Sequence, residues 1–279
     1  MKDYLALTKP RIAVMVMATS ALGYMVSGRE ADARLWWTVL GTGLCSAACG
    51  VLNQWLEREE DGRMQRTASR PLPAGRVAPS RALAFGLVLC AAGLAALWAR
   101  SGQLACAITA LTVFLYVALY TPLKQWTPQT TWIGAAAGAT APLIGWAAAT
   151  GRVSEGAWIL FGIQFLWQIP HFLSLFWMYR EDYAKAGFRV MPVVDPAGSL
   201  TAAQIALHSL TVLLASLLPI CCGMAGLRYG VGALLLGTAY LALGLKASWT
   251  LAVVDTRRLF LASLAYLPMI FGMLLLGGV

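Results

Sequence analysis

Residues 196–227 read PAGSLTAAQIALHSLTVLLASLLPICCGMAGL, a run without Asp, Glu, Lys or Arg between Asp195 and Arg228. A helix of roughly 20 such residues, rising about 1.5 Å per residue, crosses a hydrocarbon core of about 30 Å. Eight more uncharged runs of at least 17 residues flank it, at 12–28, 35–56, 82–99, 101–123, 125–151, 156–179, 229–245 and 259–279. The composition agrees. Of 279 residues 59% are hydrophobic and 12% are charged, whereas a soluble domain carries about 25% charged residues. Strict apolar/polar alternation, which an outer-membrane barrel needs, is absent. Unpaired backbone is excluded from lipid, so helices are the remaining solution. The expected fold is all-α, a polytopic membrane protein with nine transmembrane helices in a single domain over 1–279, two charged loops capping one bundle. The lipid bilayer is an expected partner and nucleic acid is not.

The first run follows Lys2, Lys9, Pro10 and Arg11 with no small-residue cleavage site behind it, and reads as a retained helix. No Arg-rich, Ser-rich presequence precedes it, which favours a bacterial cell inner membrane. Nine spans put the termini on opposite sides. Counted alternately, 16 of the 21 Lys and Arg residues fall on the N-terminal side, and only Arg29, Arg34, Arg100, Arg152 and Arg228 fall on the other. The excess of basic residues on cytoplasmic loops makes the expected N-terminus cytoplasmic and the C-terminus periplasmic.

Two loops on that side are long and dense, 53–81 and 180–199, with four spans between them, which suggests an internally repeated bundle. In the first, Asn53, Glu57 and Asp61 fall at i, i+4 and i+8, so a continuing helix stacks them on one face over about 12 Å. Three oxygen-bearing side chains at a helix end suit Mg²⁺, which takes hard oxygen ligands and joins one or two carboxylates to a substrate phosphate. Arg63, Arg66, Arg70 and Arg76 follow and can take phosphate oxygens that the metal leaves free. A solvated juxtamembrane charge run is the other reading of this loop. The second loop carries Arg180, Glu181, Asp182 and Lys185, another mixed cluster that can close on a diphosphate from the opposite side. Tyr120 and Lys124 share a helix face on the same side of the membrane.

These residues resemble the membrane prenyltransferase superfamily of UbiA type, and within it the branch that farnesylates haem. The resemblance rests on N-Q-x-x-E-x-x-x-D-x-x-M-x-R-T-x-x-R-P-L from Asn53 to Leu72, and on Tyr120-Thr121 with Leu123-Lys124 and Thr127. The small-residue run to Pro142 and Gly145 adds to it, as do W-Q-x-P-H-F and R-E-D-Y-x-x-x-G between Trp167 and Gly187. It covers nearly the whole chain. Compared with the wider superfamily, the middle acid of the first motif is Glu57, and Glu181 and Asp182 replace the repeated aspartates of the second loop. Gln125 stands where this branch commonly has Arg.

The resemblance implies transfer of the farnesyl group of farnesyl diphosphate to a vinyl group of haem b, with addition of water, giving haem O. The product would pass to a haem A synthase or to oxidase assembly. Asn53, Glu57, Asp61 and Lys124 would be catalytic, with Mg²⁺ on Asn53, Glu57 and Asp61 and also on Glu181 and Asp182. Arg66, Arg70, Tyr120, Lys124, Arg180 and Lys185 would hold the diphosphate. His171 and Arg180 would meet the haem.

His171 follows Pro170 inside a span, where proline frees a backbone carbonyl and can open the helix towards a cavity. An imidazole there suits haem iron or substrate orientation. His208, between Leu207 and Ser209, reads as a packing or hydrogen-bonding group. The six cysteines, all in predicted spans, read as small packing residues. Trp36, Trp37, Trp126 and Trp177 stand near span ends, where aromatic belts form. A quinone-precursor polyprenyltransferase is the rival enzyme and would use the same first loop. A haem-binding or transport protein is the non-enzymatic rival, but its charges belong near the bilayer midplane, whereas here they stand at span ends. A phosphatidyltransferase is excluded, because Arg58 occupies the place of a required Asp and no G-x-x-x-D-x-x-x-D follows.

Overall fold

The computed structural model describes residues 1–277, all helices and connections, with no strand among the described residues. The last two positions of the run 259–279, and with them the C-terminal end whose side was assigned from charge, lie outside the described residues. Nine apolar helices follow the uncharged runs. They are α1 (Pro10–Val26), α2 (Ala33–Leu56), α3 (Pro79–Arg100), α4 (Gln103–Leu123), α5 (Thr130–Thr150), α6 (Glu155–Met178), α7 (Ser199–Cys221), α8 (Leu227–Thr250) and α9 (Val253–Leu276). Eight of them are long and apolar enough to span, and α1, at 17 residues, is the shorter ninth, at the lower end of the roughly 17–25 residues that a crossing takes. The chain is an integral membrane protein.

The helices pack in sequence and close on themselves: α2 lies along α1 and α3, α6 along α7 and α9, α8 along α7 and α9, and α9 returns to α1. Leucines and tryptophans cover the outside, with Leu235 67% and Trp249 92% exposed, the inverse of a soluble surface and the arrangement lipid requires. In lipid, apolar surface no longer drives helix association, so close packing of small residues has to. The α1/α5 crossing shows this: a methyl group at Gly145 would run into the backbone carbonyl of Ser20, and one at Gly23 into the backbone of Pro142.

The expected repeat is present in the local geometry. Helices α2 and α6 each have 24 residues, and each is followed, after one hinge residue, by a six-residue helix, Arg58–Arg63 and Arg180–Lys185. The hinges are Glu57 (φ −91°, ψ 16°) and Tyr179 (φ −116°, ψ 23°). Helix α2 therefore does not run unbroken to Asp61. The hydrogen bonds from Glu57 N to Asn53 O (2.9 Å) and from Asp61 N to Glu57 O (2.7 Å) nevertheless carry the i, i+4 register through the junction. Met64 from the first loop packs with Phe176 at the end of α6 and with Tyr183, Phe188 and Val190 from the second loop, so the two charged segments are joined by an apolar seam.

Three local expectations change. Helix α6 continues through Pro170 without opening. Trp177 is 5% exposed, donating Nε1–H to Leu251 O at 2.7 Å, and is packed inside, unlike the exposed Trp36 and Trp126. Cys221 and Cys222 are exposed at the end of α7, while Cys45 and Cys49 are buried as packing residues.

Candidate active site at the polar end of the bundle

Four segments distant in sequence meet at one end of the bundle. Lys124, just past α4, reaches Glu57 with Nζ 2.6 Å from Oε1, and both side chains are under 10% exposed. Arg70 Nη1 donates to both oxygens of Asp61, at 2.8 and 2.6 Å. Lys9 Nζ donates to Asn53 Oδ1 at 2.7 Å. Because an ammonium only donates, this contact fixes the amide, and Asn53 Nδ2 donates to Thr121 Oγ1 at 3.1 Å. Thr121 in turn donates to Tyr116 O at 2.8 Å. Lys124 Nζ lies 4.4 Å from the centre of the Tyr120 ring, and its carbonyl accepts Arg189 N at 2.7 Å, which ties the second loop to the end of α4.

Two buried carboxylates thus face three basic groups, Lys9, Arg70 and Lys124. Burial, and then the Arg70 guanidinium, bring the Lys9 amine down to about 7. Burial is the largest single influence on Lys124 and opposes its charge, but its neighbours together, Glu57 foremost, outweigh burial, and that amine stands above its ordinary range. Three basic groups in a low-dielectric mouth, one of them an amine that an anion beside it would hold protonated, are suited to an anionic head group.

Below this mouth is a cavity of about 480 Å³, lined mostly by apolar side chains together with Lys9, Thr42, Tyr120, Gln164, Gln168 and His171. Tyr116 and Tyr120 are brought to its wall by a π-helical turn over Phe114–Tyr120, ahead of Pro122, whose missing N–H cannot continue the regular ladder. His171 is stacked between Trp167 and Phe260, with ring centres 5.0 and 4.8 Å away.

A second cavity, of about 430 Å³, opens between the loops and is lined by Arg66, Tyr179, Arg180, Glu181 and Asp182. Arg66 crosses from the first loop to the second, 3.4 Å from the Tyr183 hydroxyl and over the Tyr179 ring. Arg180 stacks on Trp177 and lines this cavity, while His171 lines the other. Lys185 is exposed and lines neither. Arg76 is bound to Asp3 and Ser69 O. His208 is buried, its Nδ1 2.8 Å from Gln204 O and its ring edge-on to Trp132.

The residue that sequence reasoning missed is Lys9. As one of several bases ahead of the first span it reads as a topology signal. Its left-handed backbone (φ 50°) is one of two such non-glycine positions among the described residues, and strain of that kind gathers at functional sites.

The donor set suits a hard divalent ion. Asn53, Glu57 and Asp61 offer only oxygen and stand in one mouth with cations beside them. Among the described residues no three His, Cys, Asp or Glu side chains converge on one point, and Mg²⁺ asks for no more than one or two carboxylates when a phosphate completes its shell.

A ring of apolar helices around an elongated cavity, with a cationic, oxygen-rich mouth, defines a class: membrane proteins that take an amphiphile with an anionic head and an apolar tail. Residues 14–276 match the model of the UbiA prenyltransferase family. The chain is 44% identical to the protoheme IX farnesyltransferase of Solibacter usitatus, over 99% of this chain and 98% of that one. It is 42% identical to the protoheme IX farnesyltransferase of Opitutus terrae, over 98% and 94%. The structure of a UbiA homologue from Archaeoglobus fulgidus bound to GPP and Mg²⁺ shares the fold, with a TM-score of 0.69 at 15% identity over 98% of this chain and 99% of that one. The chain belongs to the UbiA prenyltransferase family, in its protoheme IX farnesyltransferase branch.

Proposed function

We propose that the protein transfers the farnesyl group of farnesyl diphosphate to a vinyl group of haem b, with addition of water, to give haem O. The observation that carries this reading is the junction of a buried cationic mouth with an apolar cavity that holds one imidazole. The names of the full-length relatives supply the acceptor and the prenyl donor. Asn53, Glu57 and Asp61 would hold Mg²⁺, which when bound neutralises charge on the diphosphate; the solved homologue with GPP and Mg²⁺ supports this.

The chain's own groups do the rest. Lys9, Arg70 and Lys124 take the phosphate oxygens as negative charge builds on the leaving group. The carbon–oxygen bond to the diphosphate breaks, and the allylic carbon bonds to the terminal vinyl carbon of haem. Water adds to the cation left beside the pyrrole and loses one proton. Tyr116 and Tyr120, which line the cavity, offer aromatic rings to shelter positive charge while it exists. Arg66, Arg180, Glu181 and Asp182 form the opposite lip and fit a role in admitting or closing over the diphosphate.

The charge asymmetry of the loops supports a bacterial inner membrane location with the mouth on the cytoplasmic side and the C-terminus periplasmic. A periplasm-dependent reporter fused after Val279 is expected to be active and a cytoplasmic one silent; the reverse pattern would overturn the orientation. For the reaction, purified protein with Mg²⁺, haem b and farnesyl diphosphate is expected to yield a porphyrin heavier by one farnesyl group and one hydroxyl group. An unmodified porphyrin, with prenylation only when an aromatic quinone precursor replaces haem, would transfer the assignment to the rival enzyme.

A further inference from the structure

We infer that Ser263 is a positioning residue that fixes the tautomer of His171, so that Nε2 presents a lone pair to the occupant of the cavity. The inference rests on the haem reading above and adds to it the nitrogen that meets the iron and the group that chooses it.

The argument is a proton count. His171 Nδ1 is 2.7 Å from Ser263 Oγ. The same Oγ is 2.6 Å from the backbone oxygen of Phe260, one turn earlier on α9. A carbonyl oxygen only accepts, and a hydroxyl has a single proton to give, so that proton lies on the line to Phe260 O. Ser263 Oγ then has only lone pairs for His171, and the proton between them belongs to Nδ1. A neutral imidazole protonated at Nδ1 carries its free lone pair at Nε2. Among the described residues Nε2 has no hydrogen-bond partner, and the ring lines the central cavity. Of the two proposed substrates, only haem offers a Lewis acid to that lone pair, and a histidine that donates its other N–H to a second group is the usual way a metal-binding nitrogen is oriented.

The surroundings of Ser263 reinforce this role. Its own carbonyl accepts Trp167 Nε1–H at 2.9 Å. Trp167 and His171 are one turn apart on α6 and stack with their planes at 21°. One fully buried residue of α9 thereby holds both members of the stack, the tryptophan through its backbone and the histidine through its hydroxyl. Phe260, which takes the hydroxyl proton, also closes the other face of the imidazole. Replacing Ser263 by alanine removes only the hydroxyl and leaves the Trp167 anchor in place, so the substitution isolates the tautomer.

The experiment titrates ferric haem b alone into the purified full-length protein in lipid nanodiscs, following the Soret band and the dissociation constant. His171→Ala is expected to abolish the histidine-ligated spectrum. Ser263→Ala is expected to weaken haem binding about 10-fold or more, with a shifted Soret band, as is typical when a ligand's outer partner is lost. Ser263→Thr, which keeps the hydroxyl, is expected to restore both. Wild-type affinity and spectrum in Ser263→Ala, or a Thr variant as weak as the Ala variant, would overturn the role of Ser263 while leaving His171 as a ligand. An unchanged spectrum in His171→Ala would overturn the haem reading of this cavity, and the inference with it.

Discussion

Asp61→Asn is expected to lower turnover by at least about 100-fold while the protein still inserts and folds, on the scale of losing one preorganised electrostatic group in a water-poor site. Asp61 is 1% exposed and takes both of its short contacts from Arg70. The amide keeps the shape and one acceptor oxygen but loses the charge, which removes a Mg²⁺ ligand and leaves the guanidinium without its counter-ion. Stranding a buried charge costs about 3–5 kcal/mol, enough to confuse lost folding with lost chemistry. Here the stranded partner is 25% exposed and can turn to water, so most of that cost is avoided. The check is kcat at saturating farnesyl diphosphate across a Mg²⁺ titration, with the thermal midpoint measured on the same preparation. Near-normal turnover at ordinary Mg²⁺ would remove Asp61 from the metal site. Unchanged kcat with a lowered midpoint would make the Asp61–Arg70 pair structural.

The spans were legible because charge is nearly forbidden in lipid: each uncharged run marks a helix, with ends shifted by a few residues. Asn53, Glu57 and Asp61 were legible because the i, i+4, i+8 spacing survives the hinge at Glu57, where two backbone hydrogen bonds hold the register. What was not legible depends on contacts across the fold. Lys9 meets Asn53 44 positions away, and Ser263 meets His171 92 positions away; nothing in either neighbourhood encodes its partner. The resemblance puts His171 and Arg180 together on the haem, but Tyr179 bends the chain between them, and the two side chains line different cavities. Pro170 was read as an opening. The helix instead continues through it to Met178.

Lys9→Met is expected to raise the KM for farnesyl diphosphate by about 10- to 100-fold, the equivalent of one lost charge-assisted hydrogen bond of about 1.5–3 kcal/mol. Methionine keeps the length and the apolar stem along the cavity wall and removes only the ammonium. With it goes the one basic group of the mouth that is not already paired with a carboxylate. The sign of a second effect separates binding from mere support. In the structure the Lys9 ammonium holds Asn53 Oδ1, the same oxygen a divalent ion would use, so the two cations compete for it. Removing Lys9 frees that oxygen, and the Mg²⁺ concentration for half-maximal activity is expected to stay level or fall while the KM for the prenyl donor rises. Haem affinity, read from the Soret band, is expected to be unchanged, because Lys9 bonds to Asn53 while His171 and Ser263 bond to each other. A Mg²⁺ requirement that climbs in step with KM would show that Lys9 serves only to orient Asn53, and the anion site would then rest on Arg70 and Lys124 alone.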